Sequence, residues 1–270
     1  HHGVTPPCTS AIIKSKISKV IYSVLDIDKR VKGKTFKILN SKKINVHTGL
    51  LKNMINEFYT SYFYNRSKRL PFINGKIAVA KNNLIYSKNK KKITNWRSDK
   101  FTHLLRYKND SILISYKTLN KDNPKLNCRL KNLKKFPKRI ILDNRLETNT
   151  KSYIFRTSNK DNTIFFYNEA KKSKISEFKK KKIKIIKSKT DRWKKFDIST
   201  ILKKLYHLGC RNILVEGGND LTKDFLKKKI YNRFYLFKST KILSKSSEYK
   251  EFNGFNILKK NYKNKTRIKS

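Results

Sequence analysis

Cysteine is too scarce and too odd in number to build a disulfide framework: Cys8, Cys128 and Cys210 are the three present. Such a set suits a reducing cytosol, so a cytoplasmic location is expected. No apolar run approaches the ~18 residues that mark a membrane-spanning helix, and no membrane partner is expected. No internal repeat is visible. The chain opens at His1 with neither Met nor a signal-peptide pattern, so it is expected to begin inside a domain. Acidic residues are few, with 18 Asp+Glu against 68 Lys+Arg, a net charge of +50 over 270 residues. Such a balance ordinarily points to a nucleic-acid partner. Here Lys far outnumbers Arg and is spread over the whole length, whereas a phosphate-binding face favours clustered Arg. Lys, Asn and Ile share A/T-rich codons, so a biased genome would give the same surface, and no nucleic-acid partner is expected.

What is present suffices for one large domain or two ordinary ones, with 37% hydrophobic and 12% aromatic residues. A loop through Thr5-Pro6-Pro7-Cys8 leads into a helix at Ala11. Strand 19–25, helix 34–42, strand 44–47 and helix 49–64 follow. The last carries Leu50, Met54, Phe58 and Tyr62 at four-residue spacing, and its aromatic cluster is expected to pack. Arg69-Leu70-Pro71-Phe72 marks a boundary. Beyond it come strand 72–80, helix 98–107, strand 111–115, a loop through 118–126, and strands 139–143, 162–167 and 183–186. The last of these, alternating Ile with Lys, reads as a sheet edge guarded by charge. Helix 198–208 ends at Gly209, strand 212–216 follows, and a helix covers 221–228. This order describes an α/β sheet covered by helices.

Three segments carry candidate chemistry. In Val215-Glu216-Gly217-Gly218-Asn219-Asp220-Leu221, a buried strand ends, two glycines allow close backbone approach, and a helix begins. Free N–H groups at a helix start attract phosphate, and ligands of α/β sheets bind at the carboxyl ends of strands. Taken alone, the segment fits a tight turn with a surface Glu equally well. Thr118 to Arg129 gathers hydroxyl, carboxylate and guanidinium groups that could orient a ribose or phosphate, or could simply cap a loop. Cys8 at a helix start suits a zinc ligand, although a single Cys makes no site.

Taken in order, these segments resemble the bifunctional deaminase–reductase family of riboflavin biosynthesis, the RibD family. His1-His2-Gly3-Val4-Thr5-Pro6-Pro7-Cys8 resembles the end of its zinc loop, and Val31-Lys32-Gly33-Lys34 after Asp26 a later part of the deaminase domain. Arg69 to Phe72, Leu104-Leu105-Arg106, Thr118 to Arg129, Arg139 to Asp143 and Val215 to Gly218 are similar to its reductase half. The likeness fades past Phe237. It implies an α/β chain: a partial cytidine-deaminase-like α/β domain at 1–66, then a dihydrofolate-reductase-like α/β reductase domain at 67–270.

Two activities are implied for a complete protein. The first is zinc-dependent hydrolytic deamination of a phosphoribosylaminopyrimidine. Of its zinc ligands only Cys8 would be present, with the His-x-Glu segment and another Cys upstream of His1, so this chain alone is expected not to deaminate. The second is NADPH-dependent reduction of the ribosyl group of 5-amino-6-(5-phosphoribosylamino)uracil to the ribitylamino product. The resemblance places Ala78, Lys92, Thr118, Asp122, Asn144 and Gly218 at NADPH, and Lys90, Arg106, Leu126, Arg129 and Glu216 at the substrate. Arg106 and Arg129 are the expected holders of the 5′-phosphate. A homodimer is implied as well. Two stretches depart from the family. Lys90-Lys91-Lys92-Ile93-Thr94 stands for Ser-x-Trp-Ile-Thr, and Ala80-Lys81-Asn82-Asn83 for Ser-Leu-Asp-Gly. The alternatives are a basic nucleic-acid-binding protein and a catalytically decayed remnant of the reductase.

Overall fold

The computed structural model describes residues 6–28, 30–88 and 92–269. The chain divides into two compact units, His1–Leu70 and Pro71–Ser270. The first contains α1 (Cys8–Lys14), β1 (Lys19–Tyr22), α2 (Lys34–Ser41), β2 (Asn45–Thr48) and α3 (Lys52–Lys68). Strands β1 and β2 pair in parallel, Val20 opposite Val46. Among its described residues the buried apolar side chains are Leu39 and Ile44. The expectation that the α3 stripe packs is corrected here: Leu50, Met54, Tyr62 and Phe58 are exposed, Phe58 to 76%. The rings meet one another instead, Phe58 edge-on to Tyr59 at 5.0 Å and Tyr59 stacked on Phe63 at 5.9 Å. Four-residue spacing defines a face of a helix but not what that face meets.

The second unit starts with β3 (Phe72–Val79), β4 (Leu84–Ser87), α4 (Trp96–Lys108), β5 (Ser111–Ser115), α5 (Tyr116–Asp122), β6 (Cys128–Leu130), β7 (Leu133–Lys135) and β8 (Lys138–Leu142). It continues with α6 (Tyr153–Thr157), β9 (Thr163–Tyr167), α7 (Lys172–Lys180), β10 (Lys184–Lys187), α8 (Ile198–His207), β11 (Asn212–Val215) and α9 (Asn219–Lys227). It ends with β12 (Arg233–Lys238), β13 (Tyr249–Glu251), α10 (Phe255–Tyr262) and β14 (Thr266–Lys269). Eight strands form one sheet in the order β10-β9-β8-β5-β11-β3-β12-β14, parallel at every pairing.

A parallel sheet is covered on both faces, which is why its strands are continuous apolar runs rather than alternating ones. Ile112-Leu113-Ile114, Ile140-Ile141, Phe165-Phe166 and Ile213-Leu214-Val215 are all buried. Helix α8 covers part of the sheet with Ile198, Ile201, Leu202 and Leu205, the spacing of a single helical face. Asp197 caps that helix, accepting from the Thr200 N–H and hydroxyl. Gly75 is the glycine that packing demands. A Cβ there would stand 2.5 Å from both Phe234 and Tyr231, so β12 lies against bare backbone. The edge expected at 183–186 is found as β10, with Lys184 and Lys187 at its two ends.

Two expectations change. The loop expected over 118–126 is in its first half the helix α5, because Ser115 ends β5 and caps the next turn through the Thr118 N–H. The region past 228, where the sequence pattern names no element, holds two further sheet strands, β12 and β14. The path of the chain then defines a crevice. From β3 it passes to β5, continues outward to β10, and returns to insert β11 between β5 and β3. Strand order reverses at that point, and the carboxyl ends of β8, β5, β11 and β3 open onto one cleft.

Candidate active site

The cleft encloses about 570 Å³. Its floor carries an ion pair drawn from distant parts of the chain. Glu216 follows the last residue of β11, and Arg106 lies in the last turn of α4. The Asn95 side chain starts that helix by accepting from the Ser98 N–H. Arg106 Nε donates to Glu216 Oε1 at 2.7 Å and Nη2 to Oε2 at 2.8 Å, with the side chains only 14% and 11% exposed. Burial would push the Glu216 carboxyl upward, but the charge and hydrogen bonds of Arg106, helped by Lys76, outweigh it and hold Glu216 below the usual range. Lys76, on β3, completes the cluster. Burial lowers its ammonium pKa, and the opposing pull of Glu216 restores only part of it. Its Nζ also lies 5.2 Å from the Phe237 ring.

The rim is built from turns. Gly218 occupies the N-cap of α9 in extended conformation with no side-chain cap, so the first N–H groups of the helix lack intrahelical partners. A Cβ on Gly218 would still stand 3.8 Å from Thr118 Oγ1, leaving space between the starts of α5 and α9. A Cβ on Gly217 would meet Leu221 at 2.9 Å. Asp122, at the end of α5, is raised by burial, with Lys121 partly offsetting. Asn144, just past β8, donates to the Lys194 carbonyl at 3.4 Å. The Oδ1 atoms of Asn144 and Asn219 are both buried without a hydrogen-bond partner. Orphaned buried acceptors are rare in proteins and call for a donor.

A sequence profile of the RibD C-terminal domain matches residues 75–266. The chain belongs to this family. The match runs well beyond Phe237, where the likeness had been expected to fade. The riboflavin biosynthesis protein RibD of Aquifex aeolicus is 31% identical over 245 residues, covering 90% of this chain and 67% of that protein. RibD of Buchnera aphidicola subsp. Baizongia pistaciae is 30% identical over 261 residues, 90% of this chain and 68% of its own length. The chain thus spans about two thirds of these relatives. Among solved structures, a Thermotoga maritima diaminohydroxyphosphoribosylaminopyrimidine deaminase/5-amino-6-(5-phosphoribosylamino)uracil reductase superposes with a TM-score of 0.72 at 29% identity, covering 91% of this chain and 66% of that one. An Acinetobacter baumannii RibD shares the fold, with a TM-score of 0.75 at 21% identity over 94% of this chain and 69% of that one.

Of the residues carried over from the RibD resemblance, Ala78, Thr118, Asp122, Asn144, Gly218, Arg106, Leu126 and Glu216 all line the cleft. Leu126 does so from a left-handed backbone, φ 51°. Arg129 lies on β6, exposed, with its guanidinium hydrogen-bonded to Asn127 Oδ1, and is not part of the lining. Lys92 also falls outside the lining, because it is ion-paired to Asp99, which accepts from Thr94 as well. Lys90, Lys91 and the stretch from His1 to Thr5 lie outside the described residues. Arg106, whose fork is expected on a phosphate, has partners within the chain. Two of its nitrogens are committed to Glu216, and Nη1 donates to the Asn127 carbonyl at 3.4 Å. Cys8 is exposed at the start of α1, and no group of three His, Cys, Asp or Glu able to hold a metal occurs among the described residues. The zinc set implied by the resemblance does not fit these residues.

Sequence reasoning missed Lys76. Its signal is a lone charge inside the buried strand Phe72–Val79, a position that Lys occupies only when something compensates it. Asn219 and Lys194-Lys195 were also missed, since neither stands out in a chain rich in Asn and Lys.

Proposed function

We propose that this chain is an NADPH-dependent reductase of riboflavin biosynthesis, converting the ribosyl group of 5-amino-6-(5-phosphoribosylamino)uracil to a ribityl group. The observation that carries this reading is the Lys76–Arg106–Glu216 cluster on the floor of a cleft whose rim is the glycine turn into α9. The deaminase/reductase activity of the Thermotoga maritima relative supports the choice of substrate. The orphaned acceptors and the uncapped start of α9 fit a dinucleotide. NADPH would be held by Gly218, Asn219, Thr118, Asp122, Asn144 and Ala78. When bound, it supplies the hydride that reduces C1′.

The residues of the chain do the rest. Glu216, kept ionised by Arg106, accepts hydrogen bonds from the ribose hydroxyls and fixes the sugar over the floor. Opening the ribose breaks C1′–O4′ and forms C1′=N, and O4′ then needs a proton. Lys76 supplies it, its ammonium proton loosened by burial. Arg129, exposed beside His103, offers its free N–H groups to the 5′-phosphate. Leu126 and Ile114 keep water from the reacting carbon. The experiment is direct. The purified chain is given NADPH with the ribosylaminouracil phosphate, and cofactor oxidation is followed alongside the ribityl product. Oxidation that depends on substrate is expected, and its absence from folded protein overturns the reading.

A further inference from the structure

The cleft has a second end, remote from Lys76. Strands β8 and β3 are separated by three inter-strand spacings of ~4.8 Å, so the Asn144 end lies about 14 Å from the Lys76 end. A loop over residues 190–196, following β10, closes the Asn144 end. Thr190 and Phe196 pair across its neck, and Asn168 Nδ2 donates to Thr190 Oγ1 at 2.8 Å.

Asp191 organises this loop. Its N–H donates to the Lys195 carbonyl at 2.8 Å, and its own carbonyl accepts from the Lys194 N–H at 2.9 Å. Its Oδ1 accepts from the N–H groups of Trp193 and Lys195, each at 2.9 Å. The four bonds hold Lys194 in the left-handed region, φ 57°, which a residue with a long side chain adopts rarely. The Lys194 carbonyl in turn accepts from Asn144. Lys194 and Lys195 therefore line the cleft through this hydrogen-bonded turn. Lys195 is partly balanced by Asp224 at 3.6 Å, whereas Lys194 makes no ion pair among the described residues.

Two chemical demands thus meet at one place. The orphaned oxygens of Asn144 and Asn219 call for hydrogen-bond donors, and Lys194, exposed on the cleft lining beside Asn144, offers its ammonium to an anion. A 2′-phosphorylated adenosine meets both demands, with its amino and hydroxyl groups as donors and its phosphate as the anion. With the reducing end of a dinucleotide at Lys76 and its pyrophosphate at Gly218, the adenosine half reaches this end. We propose that Lys194, with Lys195 beside it, reads the 2′-phosphate of the cofactor and so sets a preference for NADPH over NADH. The inference rests on the reductase reading above.

The test is calorimetric binding of adenosine 2′,5′-bisphosphate and of 5′-AMP to the full chain, with no turnover involved. The bisphosphate is expected to bind more tightly by on the order of tenfold or more, the weight of a charge-assisted hydrogen bond. Lys194→Gln, and Lys194→Gln with Lys195→Gln, should erase that ratio while leaving 5′-AMP binding unchanged, and Lys194→Arg should restore it. Should the glutamines disturb the turn, Lys194→Asn provides a second neutral variant, since Asn tolerates the left-handed backbone. A ratio near one in the unmodified chain, or a ratio that survives in the neutral variants, overturns this inference alone. If neither nucleotide binds folded protein, the reductase reading falls with it.

Discussion

Arg106 and Glu216 meet side-on, each oxygen of the carboxylate taking its own N–H from the guanidinium at 2.7 and 2.8 Å. The pair joins the end of α4 to the end of β11, positions 110 residues apart in the chain. Removing one partner leaves a buried charge uncompensated, at a cost of about 3–5 kcal/mol, while removing both costs less than the sum. Glu216→Gln, Arg106→Met and the double variant should show this in denaturant unfolding. Reductase activity should fall by at least ~100-fold in every variant, because the carboxylate that positions the sugar is lost or misoriented in each. Additive destabilisation would mean that the pair is not coupled.

Gly75→Ala tests the packing of β12 on β3. The added methyl would stand 2.5 Å from two aromatic side chains, Phe234 and Tyr231, both buried. Overpacking of this kind costs about 1–3 kcal/mol, and each kcal/mol lowers Tm by about 2–4 °C in a unit of this size. Thermal unfolding of the variant should therefore come several degrees early. An unchanged Tm would show that β12 shifts freely.

Six of the eight strands of the sheet, all but β12 and β14, were legible because a parallel, doubly covered strand is an unbroken apolar run. Arg139-Ile140-Ile141-Leu142 and Asn212-Ile213-Leu214-Val215 could hardly be anything else. Helix α5 was hidden because its cap, Ser115, is also the last residue of a strand, and its body is polar. At the site, Glu216 and the two glycines showed themselves as a strand-turn-helix junction. The partner of Glu216 did not, since nothing local in Leu104-Leu105-Arg106 says that the guanidinium turns inward to a carboxylate. Lys76 and Lys194 were lost among the many lysines of the chain. What separates them is burial in one case and a place on the cleft lining in the other, and both are tertiary facts.

Asp143 supports the Asn144 end from below. It is fully buried and accepts from the Glu147 N–H, the Thr148 N–H and the Thr148 hydroxyl at 2.7–2.8 Å. Burial raises its pKa despite these three donors. Asp143→Ala strands all three, and an unsatisfied buried donor costs about 1–3 kcal/mol. Asp143→Asn retains one acceptor oxygen and should be milder. Hydrogen exchange should report faster opening of residues 143–148 in the alanine variant. Protection equal to that of the unmodified chain would remove Asp143 from the support of the cleft.

Lys76 links activity to pH with a sign that differs from its effect on stability. Its ammonium pKa is lowered, by burial first of all, from an ordinary value of ~10.4. If the charged form protonates the opening sugar, kcat/KM declines as pH rises through this lowered value, before ordinary lysines titrate. Stability moves the other way. Between the lowered folded value and ~10.4 the unfolded chain holds more protons at this site, so rising pH favours the folded state there. Glu216 acts at the acid end. With its folded pKa lowered, its contribution to stability is complete above ~4.3 and is lost as pH falls through the folded value. Profiles of kcat/KM and of Tm against pH should therefore diverge on the alkaline side, activity falling while this site adds stability. Lys76→Arg, which stays charged throughout, should remove the alkaline limb from whatever activity remains, and Lys76→Met should abolish activity without unfolding the chain. An alkaline limb that persists in Lys76→Arg would assign the proton to another group.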